Sequence, residues 1–159
     1  PKTLQLMHQV LRRSEFATAE VASKFPFYEF FYDPNIWNPD EVFGDASHVF
    51  AHRQGEAWCS LIAERMQLSQ EIMERAIGTN MQELDNARLE QKTRAFVNGV
   101  PGVVYQYSGI MEGMPLAYYN FATSGSKGTM QIACWTSANL LEEYTDVFLT
   151  FFGGFTLRG

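Results

Sequence analysis

Two histidines and a glutamate stand at spacings that suggest a shared metal ion. His48 and His52 are separated by three residues, and Glu56 follows His52 at the same interval. On an extended strand, residues i and i+4 share a face but lie about 13 Å apart, which is too far for two ligands of one metal. The spacing therefore favours a solvated strand face over a metal site. We predict neither a metal nor another cofactor.

No residue stands in the setting of a catalytic nucleophile. The G-x-S-x-G elbow of serine hydrolases does not occur in the sequence. Cys59 follows Trp58 in a strand-like segment, without the electropositive surroundings that activate a thiol. We therefore predict no catalytic residues and a protein that is not an enzyme.

The run Gly125-Ser126-Lys127-Gly128 has some features of a phosphate-binding loop. It lacks the upstream glycine of that motif, and a predicted strand follows it, so the phosphate-binding helix N-terminus is missing. The run is interpreted as a hairpin loop. The net charge of −6 and the scattered lysines and arginines argue against a nucleic-acid partner. No apolar run approaches the ~20 residues that span a bilayer, so we predict no membrane insertion.

The two cysteines, Cys59 and Cys134, both fall in strand-like segments. Free cysteine is among the most strongly buried residue types, which favours two buried thiols acting as small apolar side chains. The alternative is one disulfide between two strands, which requires an oxidising compartment. The sequence leaves both open.

The last third of the chain has the most regular pattern. It predicts strands at Val103–Met111, Met114–Thr123 and Thr129–Thr136, then a helix at Leu140–Phe152. Apolar residues occur on both faces of these strands, which indicates a sheet covered on both sides. Upstream, the predicted elements are strands at 27–32, 47–52, 56–63 and 88–97, and a helix beyond an N-cap at Ser69.

Apolar residues at three- and four-residue steps predict a further helix over Thr3–Lys24, which Pro26 ends. We therefore divide the chain into a helical segment, residues 1–24, that packs on or leads into a single domain, residues 25–159. The order of elements is typical of an α+β protein with an antiparallel sheet.

The aromatic and turn-rich segment Phe25–Phe43 is the best candidate for a binding surface. Ile36, Trp37 and Phe43 are its predicted partner-binding residues, because tryptophan is enriched in interface hot spots. The alternative is that Trp37 closes one end of the sheet. The partner would be a protein whose identity the sequence does not supply.

A second hypothesis is a small-molecule carrier. An apolar pocket between the sheet and a helix would be lined by Tyr105, Tyr107, Tyr118 and Phe148. Mostly apolar pockets with a few polar groups are the usual ligand sites.

Four stretches carry a resemblance to a known family: Phe31–Trp37, Gly99–Gly102, Ser108–Gly113 and Leu141–Phe155. In this order the chain resembles the PsbP-like superfamily, which includes an extrinsic subunit of photosystem II, a nuclear Ran-binding factor and bacterial DcrB-type lipoproteins. The resemblance implies a three-layer α/β/α sandwich around a central antiparallel sheet. It also implies a non-enzymatic accessory or binding module, often extracytoplasmic, with no catalytic residues to carry over.

Overall fold

Most of the described residues lie in β-strands. A computed structural model of the chain describes residues 9–40 and 48–158. In chain order the elements are β1 Gln9–Leu11, β2 Ala19–Glu20, β3 Tyr28–Tyr32, β4 Trp37–Asp40, β5 His48–His52, β6 Ala57–Glu64, α1 Gln70–Met81, β7 Asp85–Val97, β8 Val100–Met111, β9 Met114–Gly125, β10 Gly128–Ser137, α2 Leu141–Phe152 and β11 Phe155–Leu157.

The strands form one large sheet and one small sheet. The large sheet has eight strands in the order β1-β7-β8-β9-β10-β6-β5-β4, and the small sheet has three in the order β11-β3-β2. Among the described strands, every pairing is antiparallel except that of β1 with β7. The molecule is therefore α+β with a mostly antiparallel sheet, as the sequence predicts.

One face of the large sheet packs against α2 and the small sheet. Buried residues alternate with half-buried ones along β10, and the buried set faces this core. One cluster of fully buried side chains fills this core and includes Phe148 and Phe152 of α2, Phe30 of β3, Phe121 of β9 and Ile132 of β10. The described cluster on this face contains more buried apolar side chains than the cluster on the other face, and hydrophobic stabilisation grows with the apolar area removed from water.

The opposite face packs against α1. Met73 and Ile77 of α1 form a second buried cluster with Tyr105 and Tyr107 of β8. Val104, which directly precedes Tyr105 in the sequence, belongs to the α2 cluster. Because successive side chains of a strand point to opposite faces, the two helices lie on opposite sides of the large sheet.

The N-terminal helix predicted for Thr3–Lys24 is wrong over residues 9–24. Gln9–Leu11 pairs with Ala95–Val97 in parallel, and Ala19–Glu20 pairs with β3. Pairing with the long strand β7 outweighs the local helical pattern, which is a weak preference by itself. Residues 1–8 lie outside the described part of the chain, and the division at residue 24 stays a prediction.

The later elements are confirmed. The three strands of the last third and the helix after them occur within a few residues of their predicted bounds, as does the hairpin of β5 and β6. Ser69 caps α1, since its hydroxyl oxygen accepts a hydrogen bond from the backbone N–H of Ile72 at 3.2 Å. Trp37, predicted to lie between turns, begins the edge strand β4.

Cys59 and Cys134 are joined by a disulfide. They stand directly opposite one another on β6 and β10, with Cα atoms 4.0 Å apart, and both side chains are fully buried. The expected burial is confirmed, but the favoured interpretation as free thiols is wrong. Periodicity within a strand does not reveal which residues face each other across two strands, and this register decides the pairing.

Asn98 ties the N-terminal segment to the end of α2. Its side-chain N–H groups donate to the carbonyl oxygens of Gly153 and Phe155 at 2.8 and 2.6 Å. Its side-chain oxygen accepts from the backbone N–H of Arg13 at 3.1 Å. The turn that follows β1 is thereby held against α2.

Candidate partner-binding groove

The segment that contains Ile36 and Trp37 is positioned by a turn at Asp33. The carbonyl oxygen of Asp33 accepts from the N–H groups of Ile36 and Trp37 at 3.1 and 3.0 Å. Its carboxylate accepts from the N–H of Asn35 at 2.8 Å. These bonds end β3 and turn the chain into β4, as the Asp-Pro-Asn sequence favours.

Trp37 is buried rather than displayed. Its side chain is 2% exposed, and its ring centroid lies 4.9 Å from that of Phe151 and 5.4 Å from that of His52. Trp37 is therefore not an exposed anchor. Its position agrees with the alternative, in which Trp37 closes one end of the sheet. Ile36 is half-buried, and Phe43 lies outside the described residues. A partner-binding role for Ile36 and Trp37 stays a prediction.

Ile36 and Trp37 line a groove bounded by α2, the β3–β4 connection and the turn after β1. The groove encloses a cavity of about 220 Å³. Its apolar walls are Phe16, Phe31, Ile36, Trp37, Val147 and Phe151.

Phe16 forms an exposed rim of this groove. Its side chain is 62% exposed, although large aromatic side chains usually avoid water. The hydroxyl oxygen of Ser14 accepts from the N–H of Phe16 at 3.1 Å, and the N–H of Ala17 donates to the carbonyl of Ser14 at 3.0 Å. These bonds fix the backbone of the turn that carries Phe16. The sequence pattern places Phe16 in the helix predicted over Thr3–Lys24, and the sequence signal for this turn is an interruption of the apolar spacing near Ser14.

The pocket predicted from Tyr105, Tyr107, Tyr118 and Phe148 does not form as one site. The three tyrosines lie on the α1 side of the sheet, whereas Phe148 lies on the α2 side. Tyr107 and Tyr118 instead stack on each other, with ring centroids 4.7 Å apart and planes 5° from parallel. The strand alternation already separates β8 and β9 side chains by face, but only the fold shows which helix covers which face.

Tyr105 takes part in a polar contact between α1 and the sheet. The carboxylate of Glu74 accepts from Gln70 at 3.0 Å, from Tyr105 at 2.8 Å, and from Lys92 at 2.6 Å. The hydrogen bonds from Gln70, Lys92 and Tyr105 lower the pKa of Glu74 to about 2. This network joins α1 to β7 and β8 and is structural.

His48 and His52 lie on the side of β5 that faces α2, and not on a solvated face. The ring of His52 meets Tyr144 edge-on at 5.0 Å, and the ring of His48 lies 6.4 Å from Phe50. Partial burial lowers the pKa of both imidazoles, because it disfavours their charged forms. Within the described ranges, no group of three or more His, Cys, Asp or Glu side chains is placed to hold a metal ion.

Neither a protein-family model nor a curated protein sequence matches the chain. Solved structures do match. Cyanobacterial PsbP (CyanoP) from a Synechocystis species is 13% identical with a TM-score of 0.63, over 91% of this chain and 95% of that protein. LpqN, involved in cell envelope biogenesis of Mycobacterium tuberculosis, is 10% identical with a TM-score of 0.64, over 89% and 90%. A protein of unknown function from Pseudomonas aeruginosa is 14% identical with a TM-score of 0.55, over 96% and 99%. The chain has the PsbP-like fold.

The PsbP-like fold confirms the resemblance inferred from the sequence, and identities of 10–14% carry the comparison no further than the fold. In this PsbP-like chain, the described helices are too short or too polar to cross a membrane. The groove beside Phe16 is the described pocket that Ile36 and Trp37 help to line.

Proposed function

We propose that this chain is a non-catalytic accessory domain that binds a partner protein by receiving one large apolar side chain in the groove beside Phe16. The observation that carries this proposal is the exposed ring of Phe16 at the rim of an apolar cavity. Aromatic side chains, phenylalanine among them, are enriched in protein–protein interfaces relative to the rest of the surface.

The size of the cavity favours a protein side chain over a small molecule. Pockets for small molecules usually measure about 300–1,000 Å³, whereas this cavity measures about 220 Å³. A single phenylalanine, leucine or methionine side chain fits such a space. The carrier alternative loses its predicted site as well, since the tyrosines and Phe148 lie on opposite faces of the sheet.

The free energy of association sets how much of a partner is needed. Burial of one large apolar side chain contributes about 1.5–3 kcal/mol, whereas association costs at least about 4 kcal/mol in lost freedom of motion. The groove therefore acts as the anchor of a larger contact. We expect neighbouring surface, including the ring of Phe16, to be covered by the same partner.

We also propose a layer architecture and a cellular location for this chain. The separate clusters beneath α1 and α2 support a three-layer sandwich with the helices as outer layers.

The disulfide between Cys59 and Cys134 supports an extracytoplasmic location, because disulfides form and persist in oxidising compartments.

Selection from a random peptide library displayed on phage tests the binding role. We expect the protein to enrich peptides that share one large apolar residue, and we expect Phe16→Ser to lose them. Met114→Ser is the matched control, because Met114 is also a largely exposed apolar side chain, at the tip of the β8–β9 hairpin. Affinities of the enriched peptides for the three proteins would be measured by fluorescence polarisation.

The two variants distinguish binding in the groove from nonspecific binding to exposed apolar side chains. Equal binding by Phe16→Ser and the unaltered protein would place the peptides elsewhere and overturn the proposed function. Circular dichroism would check that both variants keep the fold, which is expected because neither side chain is buried.

A further inference from the structure

Two carboxylates lie at the groove, one from each of two elements. Asp33 follows β3, and Asp146 lies on α2. Among the described residues that line the groove, there is no lysine, arginine or histidine. The lining is therefore apolar with a negative rim.

The protein's own cations leave both carboxylates available. In the described part of the chain, neither Asp33 nor Asp146 forms an ion pair within 4 Å. The guanidinium of Arg13 lies over the ring of Phe31, which lines the groove, 4.1 Å from the ring centroid. Arg53 donates to the carbonyl oxygen of Pro34 at 2.9 and 2.7 Å. A positive group that enters with a ligand therefore meets acidic groups that have no cationic partner.

Resting on the proposed function, we propose that the partner segment received by this groove carries a lysine or arginine next to its large apolar side chain. The apolar side chain fills the cavity between Ile36 and Phe151, and the cationic head reaches Asp33 or Asp146 at the rim. The long apolar stems of lysine and arginine suit this arrangement, because they pack on apolar walls while the charged end stays in water.

The charges act mainly on selectivity. Rim charges change the rate of association and the choice of partner more than they change the total affinity. Salt screens them, since the Debye length is about 8 Å at physiological ionic strength. Binding of a basic segment should therefore weaken as salt is raised, whereas the apolar contact should not.

A second copy of the chain is the main competing occupant. Leu89 is 51% exposed and follows Arg88, and Met66 is 63% exposed and follows Arg65. Both pairs have the same chemistry as the proposed segment. The net charge of −6 opposes self-association, so we favour a different protein.

The experiment compares two phage selections, one on the unaltered protein and one on the double variant Asp33→Asn, Asp146→Asn. Asparagine at position 33 keeps the oxygen that accepts from Asn35, so the turn is retained. We expect basic residues next to the apolar residue in the first selection only, and the apolar residue in both. Asp85→Asn, which removes an exposed carboxylate from the start of β7, is the control and should behave like the unaltered protein.

Synthetic versions of an enriched peptide measure how much the two carboxylates contribute to the affinity. The double variant should bind the basic peptide about fivefold more weakly at low salt, the effect of two exposed ion pairs. Replacement of the peptide's basic residues by glutamine should produce a similar loss for the unaltered protein and none for the double variant.

Each result has one meaning. Peptides that share an apolar residue without basic neighbours, and that need Phe16, would overturn the basic-segment proposal and leave the proposed function standing. Peptides whose binding ignores Phe16 would overturn both. Sedimentation velocity tests whether a second copy of the chain occupies the groove. A concentration-dependent dimer that Phe16→Ser and the double variant abolish would overturn the proposal in favour of a second copy. A monomer would support a different protein as the partner.

Discussion

Glu74 joins α1 to the sheet through a single carboxylate. Gln70, Lys92 and Tyr105 all donate to it, and these bonds lower its pKa to about 2 from an ordinary value of 4.5. A carboxyl group with a lowered pKa stabilises the folded state at pH values above its unfolded pKa. That contribution is lost as the pH falls through the folded value, so the sensitive range is about pH 4.5 to 2.

We predict that Glu74→Gln lowers the free energy of unfolding by about 1 kcal/mol at pH 7, a value reduced for the partial exposure of the pair. The difference from the unaltered protein should shrink as the pH is lowered from 4.5 towards 2. Urea unfolding at a series of pH values measures both.

Glu71→Gln is the control for Glu74→Gln. Glu71 lies on the same helix, but its carboxylate pairs with Arg75 at the surface, with side chains 77% and 75% exposed. Its loss should be small at every pH. A Glu74→Gln deficit that is the same at pH 7 and at pH 2.5 would contradict the assigned role of the carboxylate.

Sequence reasoning selected Ile36 and Trp37 but not Phe16. The first two stand between proline turns, and turn chemistry is a local property that the sequence displays. Phe16 stands at helix-like spacing from its neighbours, and only the pairing of β1 with β7 shows that no helix forms there. The acidic rim was missed for a similar reason, because Asp33 and Asp146 come together only when α2 packs beside β3.

At the scale of elements, the glycines at the two helices have opposite roles. Gly78 lies inside α1, and a Cβ atom there would meet nothing within 4 Å. Gly154 lies between α2 and β11, where a Cβ atom would collide with the carbonyl oxygen of Phe31. The N–H of Phe31 also donates to the carbonyl of Gly154 at 3.0 Å, so the two backbones are held in contact.

We predict that Gly78→Ala raises the free energy of unfolding by up to about 1 kcal/mol, because alanine is the better helix former. Gly154→Ala should lower it by about 3 kcal/mol, since two backbone segments must separate. Thermal and urea unfolding of the two variants provide the measurement. A neutral Gly154→Ala would show that the segment between α2 and β11 is not in the close contact with β3 described.

At the scale of the whole molecule, one covalent bond links two central strands. Cys59 and Cys134 are 75 residues apart in the chain and join β6 to β10 in the middle of the large sheet. A cross-link between distant residues restricts the unfolded chain, and its loss from a small domain typically costs about 2–5 kcal/mol.

We therefore predict that a thiol reductant, applied under conditions that reach the buried bond, lowers the free energy of unfolding by about 2–5 kcal/mol. The double variant Cys59→Ala, Cys134→Ala should show the same loss and no response to reductant. Urea unfolding with and without reductant measures the effect. Identical curves for the reduced and oxidised protein, with reduction verified by thiol labelling, would contradict the prediction.

The sequence by itself determined the regular elements from Ala57 to Phe152 and the resemblance to the PsbP-like fold. These follow from periodicity, turns and caps, which act over a few residues. The tertiary structure alone decided that residues 9–24 carry strands, that the cysteines are bonded, and that Phe148 lies across the sheet from Tyr107. The physical reason is that strand register, parallel pairing and helix packing join residues far apart in the chain. Local sequence patterns do not specify those contacts.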